Sequence, residues 1–227
     1  MAKKKKTTHD NLQEIESALT RTEQFIEDHQ NIILYVIGGI VLVVVAYLGI
    51  TRFYVEPREK EAQSQMFMAE QYFEKDSFNL ALNGDGNYLG FLDIIDDYSI
   101  TKPARLARFY AGISYLRLGQ FEEAVDYLRK FKTDDVILGP VSQGALGDAY
   151  LELGDQEKAL TQYENAINLS ENDLTTPIYL MKAGNLLENM GKQEKALKYY
   201  TRVKEKFPET NEGRMVDQYI ARLSLKK

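Results

Sequence analysis

Residues 147–167 read GDAYLELGDQEKALTQYENAI, and this stretch decides the fold because two altered copies of it flank it in the chain. The copies are GISYLRLGQFEEAVDYLRKF at 112–131 and GNLLENMGKQEKALKYYTRV at 184–203. A glycine inside a helix costs about 1 kcal/mol relative to alanine. A glycine that recurs at the same place in each copy therefore indicates a packing role.

The three copies align without a gap, and small and large residues fall in the same slots. The recurring residues are Gly112, Gly147 and Gly184; Tyr115 and Tyr150; Gly119, Gly154 and Gly191; Ala124, Ala159 and Ala196; and Leu128, Tyr163 and Tyr200. Each copy predicts two amphipathic helices with a turn at the second glycine. We expect the first glycine and the alanine to let the two helix backbones approach, with a large side chain beside them.

This pattern resembles the tetratricopeptide repeat over residues 105–208, in three consecutive copies. Pro208 stands where that family ends its last helix, because a helix cannot easily continue past a proline. The chain departs from the family in four places, where Arg108, Gln143 and Leu180 replace an early tryptophan and Leu187 replaces the third tyrosine. The resemblance implies a stack of helical hairpins, so the predicted fold class is all-α.

The segment IILYVIGGIVLVVVAYLGI at 32–50 contains 19 residues and no charge. At ~1.5 Å per residue it would span roughly 28 Å, close to the ~30 Å hydrocarbon layer of a bilayer. A buried core helix or a cleaved signal peptide are the alternatives. The leader is long and polar, and Ala46-Tyr47-Leu48 is a poor cleavage site. We therefore predict an uncleaved transmembrane helix.

Basic residues near this segment predict its orientation. Four lysines at 3–6 and Arg21 precede it, whereas only Arg52, Arg58 and Lys60 follow closely. The excess of lysine and arginine on the N-terminal side predicts a cytoplasmic N-terminus and repeats outside the cytoplasm.

The remaining segments complete a plan of five parts. These are a cytoplasmic segment at 1–31, the transmembrane helix at 32–50, a linker helix with a degenerate first repeat at 51–104, three repeats at 105–208, and a capping helix at 209–227. Residues 1–31 carry a capping-box motif at 20–23 and an apolar face of Leu12, Ile15, Leu19, Thr22 and Ile26. This face would dock on a partner or on lipid headgroups, or it would only lead into the span.

The glycine-rich sequence NGDGN at 83–87 is predicted to be a turn between the helices of the degenerate repeat. A calcium loop is the alternative, but Tyr88 and Ile94 stand where an EF-hand needs glycine and glutamate. The capping helix is predicted from the helical spacing of Met215, Tyr219, Ile220 and Leu223.

Residue types limit the chemistry available to this chain. Cysteine is absent, and the two histidines, His9 and His29, lie near the N-terminus. We therefore predict no catalytic site, no metal and no cofactor, and no small-molecule substrate. An enzyme that uses Asp96, Asp97 or the tyrosines is an alternative of a different class. Nucleic acid is not expected as a partner, because the repeat region is acidic and shows no basic stripe.

By the resemblance, the first helix of each pair would line a concave groove. The inward positions of the first repeat would be Leu106, Phe109, Ile113, Leu116 and Arg117. Those of the second would be Val141, Gly144, Asp148, Leu151 and Glu152, and those of the third Ile178, Met181, Asn185, Glu188 and Asn189. This wall is largely apolar with mixed charges, which favours a partner helix or an extended apolar segment as the ligand. The alternative is that several of these residues, Leu106 and Leu116 first, pack against the adjacent repeat.

The whole layout resembles the bacterial ancillary Sec-translocon subunits, or YfgM-like proteins. That resemblance implies an inner-membrane, single-pass protein with periplasmic repeats. It also implies protein partners, namely translocon subunits, a membrane-tethered prolyl isomerase chaperone and emerging polypeptides. A scaffold of another envelope-assembly or division complex is the alternative.

Overall fold

The computed structural model describes residues 25 and 28–225, and all regular structure within them is helical. The capping-box motif at 20–23 and the apolar face predicted for residues 1–31 lie outside the described residues. The chain divides into two compact units, Met1–Pro57 and Arg58–Lys227.

The first unit contains helix α1, Gln30–Ile50, followed by a π-helical turn at Thr51–Val55. Helix α1 includes the whole apolar segment predicted at 32–50, and none of its residues is buried. Among the described residues, the helix that starts at Gln30 is the one whose length and composition suit it to cross a membrane.

Ten further helices follow among the described residues, all of them in the second unit except for the first two residues of α2. They are α2 Glu56–Glu74, α3 Phe78–Asn83, α4 Phe91–Asp97, α5 Lys102–Arg117, α6 Phe121–Lys130, α7 Leu138–Glu152, α8 Gln156–Leu169, α9 Thr176–Asn189, α10 Gln193–Lys206 and α11 Asn211–Ser224. Each of α5 to α11 packs against its neighbour along the chain, and α5 also contacts α3 and α4. This sequential packing is the arrangement of an α-solenoid.

The segment 51–104 holds one more helix than the sequence pattern indicated. Helix α2 ends at Glu74, and Asp76 then adopts the left-handed backbone region with φ 55°. The backbone N–H of Ser77 donates to the Tyr72 carbonyl at 2.9 Å, which closes the helix end. The short helix α3 therefore separates α2 from the turn at 83–87.

The three turn glycines end the first helix of each pair by the same hydrogen-bonded motif. Gly119, Gly154 and Gly191 have φ of 75°, 80° and 74°, a region that residues with a Cβ rarely adopt. In the second repeat the N–H of Asp155 donates to the Tyr150 carbonyl at 2.9 Å, and that of Gly154 donates to Leu151 at 3.0 Å. These bonds form a Schellman motif, which satisfies the last carbonyls of the helix.

The first glycine of each repeat lies directly against a large side chain of the second helix. A Cβ built on Gly147 would approach Cε1 of Tyr163 to 2.6 Å, and one on Gly184 would approach Cε1 of Tyr200 to 2.5 Å. In the first repeat, a Cβ on Gly112 would lie 2.6 Å from Cγ of Leu128. The recurring glycine therefore makes room for the residue sixteen positions later.

The other recurring residues complete this packing. Ala124, Ala159 and Ala196 are fully buried on the second helices. The Tyr115 ring stacks on Tyr127 at 5.3 Å. Helix α10 ends at Lys206, two residues before the exposed Pro208.

Helix α11 packs on α9 and α10 through a face that differs by one position from the sequence pattern. Val216 and Leu223 are buried, and Tyr219 and Ile220 pack against the same cluster. Met215 is 49% exposed, so it does not belong to the packed face.

Candidate functional site

The first helices of the three repeats, α5, α7 and α9, line a groove of about 780 Å³. The turn between α5 and α6 closes one side of it. The lining residues are Ile113, Leu116, Arg117, Gly119, Phe121, Val141, Ala145, Asp148, Leu151, Glu152, Tyr179 and Lys182. An open groove with apolar walls and a few charged groups suits a segment of another protein.

The groove brings together seven of the fifteen predicted groove residues. Ile113, Arg117, Asp148, Leu151 and Glu152 all line it, with Leu116 and Val141 beside them. Each of these seven lies on the first helix of the first or second repeat.

The other eight predicted groove residues do not line this groove. Leu106 is half-buried and borders a separate depression between α2 and the loop that follows α6. Phe109 and Met181 are each 8% exposed and pack in the hydrophobic core, with the Phe109 ring 5.3 Å from that of Phe131. Large apolar side chains on the first helices are drawn into the contacts between repeats, which is why repeat spacing alone overestimates the groove.

Asn185 and Glu188 are occupied by polar partners from the last two helices. The Tyr200 hydroxyl donates to Oδ1 of Asn185 at 2.8 Å. The Arg222 guanidinium of α11 donates to both oxygens of Glu188, at 3.1 and 2.7 Å. These bonds tie α9 to α10 and α11.

Asp148 is the centre of a polar cluster on the groove wall. The Tyr163 hydroxyl donates to its Oδ1 at 2.6 Å, and Nζ of Lys182 donates to its two oxygens at 2.7 and 2.6 Å. Burial and then the hydrogen bond to Asp148 raise the pKa of the Tyr163 phenol. The phenol therefore stays protonated and remains a donor at neutral pH. The cluster connects α7, α8 and α9.

Within the polar cluster, Asp148 and Lys182 pair with each other. The other two charged residues of the lining, Arg117 and Glu152, are available to a ligand. Within the described residues, Arg117 and Glu152 form no ion pair within 4 Å, and both are exposed. The groove therefore presents apolar walls, one free cation on α5 and one free anion at the end of α7.

Tyr179 of α9 lines the groove, although the sequence predicted Gly144 of α7 as the groove residue at this place. A Cβ on Gly144 would lie 1.9 Å from Cε1 of Tyr179, so the glycine admits the ring. The Tyr179 ring stacks with that of Tyr163, with 6.4 Å between their centroids.

Sequence reasoning also missed Lys182, Phe121 and Ala145 in the lining. A signal for Lys182 exists in the repeat period. It lies 34 residues after Asp148, about one repeat length away, so side chains on neighbouring first helices were positioned to meet.

Comparisons with known proteins agree with this geometry. Models of the tetratricopeptide repeat match residues 106–135 and 179–210, and a model described as a TPR repeat matches 147–176. The matches at 106–135 and 179–210 cover most of the pairs α5–α6 and α9–α10. The match at 147–176 covers the latter part of α7 together with α8. No curated protein matches the chain.

A solved structure has the same fold. It is the crystal structure of a protein from Podosopora anserina, assigned as a kinesin light chain with nearly identical TPR-like repeats. It is 15% identical, the match covers 76% of this chain and 88% of that one, and the TM-score is 0.57. The second unit therefore carries tetratricopeptide repeats in an all-helical solenoid, which is a scaffold for contacts between proteins. The predicted repeats and solenoid are confirmed.

Proposed function

We propose that this chain is a membrane-anchored scaffold that binds a segment of another protein in the groove between α5, α7 and α9. The observation that carries the proposal is the groove itself, in which seven residues predicted from their position in the repeat line one surface. Such a segment would place apolar side chains against Ile113, Val141 and Leu151. An anionic group would pair with Arg117, and a cationic group with Glu152.

The anchor would raise the effective concentration of the groove at a membrane complex without any chemistry. The length and composition of α1 support an anchor. The lysine and arginine excess before it supports repeats on the periplasmic side of a bacterial inner membrane. The layout supports an accessory subunit of the Sec translocon, which would connect the channel to a periplasmic chaperone and assist emerging proteins.

Crosslinking in cells tests the groove. A photoreactive amino acid replaces Arg117, and a second variant carries it at Thr161, an exposed position on α8. We expect covalent adducts from position 117 and few from position 161. Equal adduct formation at the two positions would show that the groove does not select a ligand.

A substitution inside the groove supplies a matched control. Leu151 is 38% exposed in the groove, whereas Leu169 is 56% exposed at the end of α8. Leu151→Asp should abolish the adduct formed from position 117, and Leu169→Asp should not. Identification of the captured chain as a channel subunit, a chaperone or an emerging polypeptide supports the translocon role. A captured division or cell-wall protein would refute that role while leaving the scaffold in place.

A further inference from the structure

Helix α10 carries a row of basic side chains on its outer face. Its fourteen residues include five basic and two acidic ones, although the chain as a whole has a net charge of −6. We call Lys195, Lys198, Arg202 and Lys206 the basic stripe, because their spacing of three or four residues places them along one side of a helix. The repeat region as a whole is acidic, and for that reason no basic stripe was expected there.

Most of the stripe's charge has no ion-pair partner in the part of the chain that the structure describes. Among the described residues, Lys195 and Lys198 form no ion pair within 4 Å, and Arg202 and Lys206 share the single carboxylate of Glu171 at 3.0 and 2.8 Å. A shallow depression of about 330 Å³ runs along Lys198, Arg202 and Lys206. Beside it, an apolar groove lies between α10 and α11, lined by Leu197, Ile220 and Leu223.

The opposite charge is concentrated at the other end of the solenoid. Helix α4 has three acidic residues and no basic one, and all three are exposed. Helix α6 adds Glu122 and Glu123 in its first turn and also Asp126, which pairs with Arg129 at 3.7 Å. Burial, and then the charges of Asp96 and Asp126, raise the pKa of the Tyr127 phenol, whereas the charge of Arg108 lowers it. We call Asp93, Asp96, Asp97, Glu122, Glu123 and Asp126 the acidic face.

The acidic face and the basic stripe cannot neutralise each other within one molecule. Helix α4 packs with α3 and α5, and α6 packs with α5 and α7, whereas α10 packs with α9 and α11. Three helices, α7, α8 and α9, separate them along the solenoid. Unlike charges of this strength that are kept apart in one copy can meet between two copies.

We propose that a second copy of this chain docks its acidic face on the basic stripe. Charge complementarity selects and orients the partner, and the apolar groove at Leu197 adds buried area beside the ion pairs. A two-fold arrangement would form this contact twice and close the assembly as a dimer.

Charge reversal and exchange tests the proposal on the full-length protein in mild detergent. One variant carries Lys195→Glu and Lys198→Glu, and the other carries Asp96→Lys and Asp126→Lys. Sedimentation should show that each variant alone self-associates about tenfold or more weakly than the original chain. A mixture of the two variants should recover association, because the reversed stripe then meets a reversed face. High salt should weaken the original dimer and the mixed one alike.

Matched controls separate this contact from a general charge effect. Arg105→Glu with Lys132→Glu changes the net charge by the same amount at exposed positions that border another depression, and should leave association unchanged. A monomer at every concentration and low salt would overturn the proposal. Association that neither reversal affects would also overturn it, since the contact would then lie elsewhere. Loss of binding to vesicles containing phosphatidylglycerol on stripe reversal, without any self-association, would assign the stripe to lipid headgroups and refute the proposal.

Discussion

Two glycines on helix α7 separate the effect of packing from that of helix propensity. Gly147 lies 2.6 Å, measured from a built Cβ, from the Tyr163 ring, whereas the nearest atoms to a Cβ on Gly139 lie at 3.8 Å. Gly147→Ala should lower the free energy of unfolding by about 1–3 kcal/mol, because the added methyl group displaces a buried ring. Gly139→Ala should leave it unchanged or raise it by up to about 1 kcal/mol. Urea unfolding of the two variants measures both values, and equal effects would contradict the packing role.

A second residue-scale prediction concerns the acceptor at Asp148. The third repeat has Asn185 in the same slot, where its Oδ1 accepts from Tyr200. Asp148→Asn should therefore keep the Tyr163 bond and lose only the tie to Lys182, at a cost of about 1 kcal/mol or less, since that pair is about one-third exposed. Asp148→Ala should cost about 1–3 kcal/mol, because the Tyr163 hydroxyl then has no acceptor. The unfolding temperature should be highest for the original chain, lower for Asp148→Asn and lowest for Asp148→Ala. A lower unfolding temperature for Asp148→Asn than for Asp148→Ala would contradict the role of residue 148 as the acceptor for Tyr163.

At the scale of single helices, the sequence predicted the pairs of each repeat but not all of their contacts. The left-handed backbone at the end of each first helix favours glycine, and this local rule identified the helix ends at Gly119, Gly154 and Gly191. The extra helix α3 was missed, because its break depends on Asp76 in a conformation that glycine usually adopts. Fewer than half of the predicted groove residues line the groove. Phe109 and Met181 do not, because their burial depends on the neighbouring repeat and cannot be predicted from one helix alone.

The last helix offers an element-scale prediction. Val216 is fully buried on the packed face of α11, whereas its neighbour Met215 is 49% exposed. Val216→Asp should destabilise the third repeat by about 3 kcal/mol or more, because it buries an unpaired charge. Met215→Asp should change stability by about 0.5 kcal/mol or less. Hydrogen exchange in α9 and α10 should increase only in the first variant, and protection unchanged by Val216→Asp would show that α11 does not cap the stack.

At the scale of the whole molecule, the two compact units should separate biochemically. We expect the full chain to remain with membranes after alkaline extraction and to require detergent for purification. A chain that begins at Arg58 should be soluble without detergent and should keep its helical circular dichroism, because its cores lie within Arg58–Lys227. A full-length chain that purifies without detergent would refute the anchor.

Protease added to intact spheroplasts tests the orientation of the same chain. The repeats should be digested if they lie outside the inner membrane, and an epitope placed at the N-terminus should be protected. Protection of the repeats would reverse the orientation inferred from lysine and arginine, and would also remove the periplasmic role.

The two repeat positions represented by residues 148 and 163 carry different side chains in each repeat, and so distinguish one repeat from the next. The same two slots hold Ile113 and Leu128 in the first repeat, Asp148 and Tyr163 in the second, and Asn185 and Tyr200 in the third. Among the described residues, the second pair is the one that binds an ammonium group of the next repeat, that of Lys182. The slot of Lys182 holds Tyr110 in the first repeat and Ala145 in the second. Placing either repeat after the second one would therefore leave the Asp148 carboxylate without its ammonium partner, so the order of the repeats is fixed.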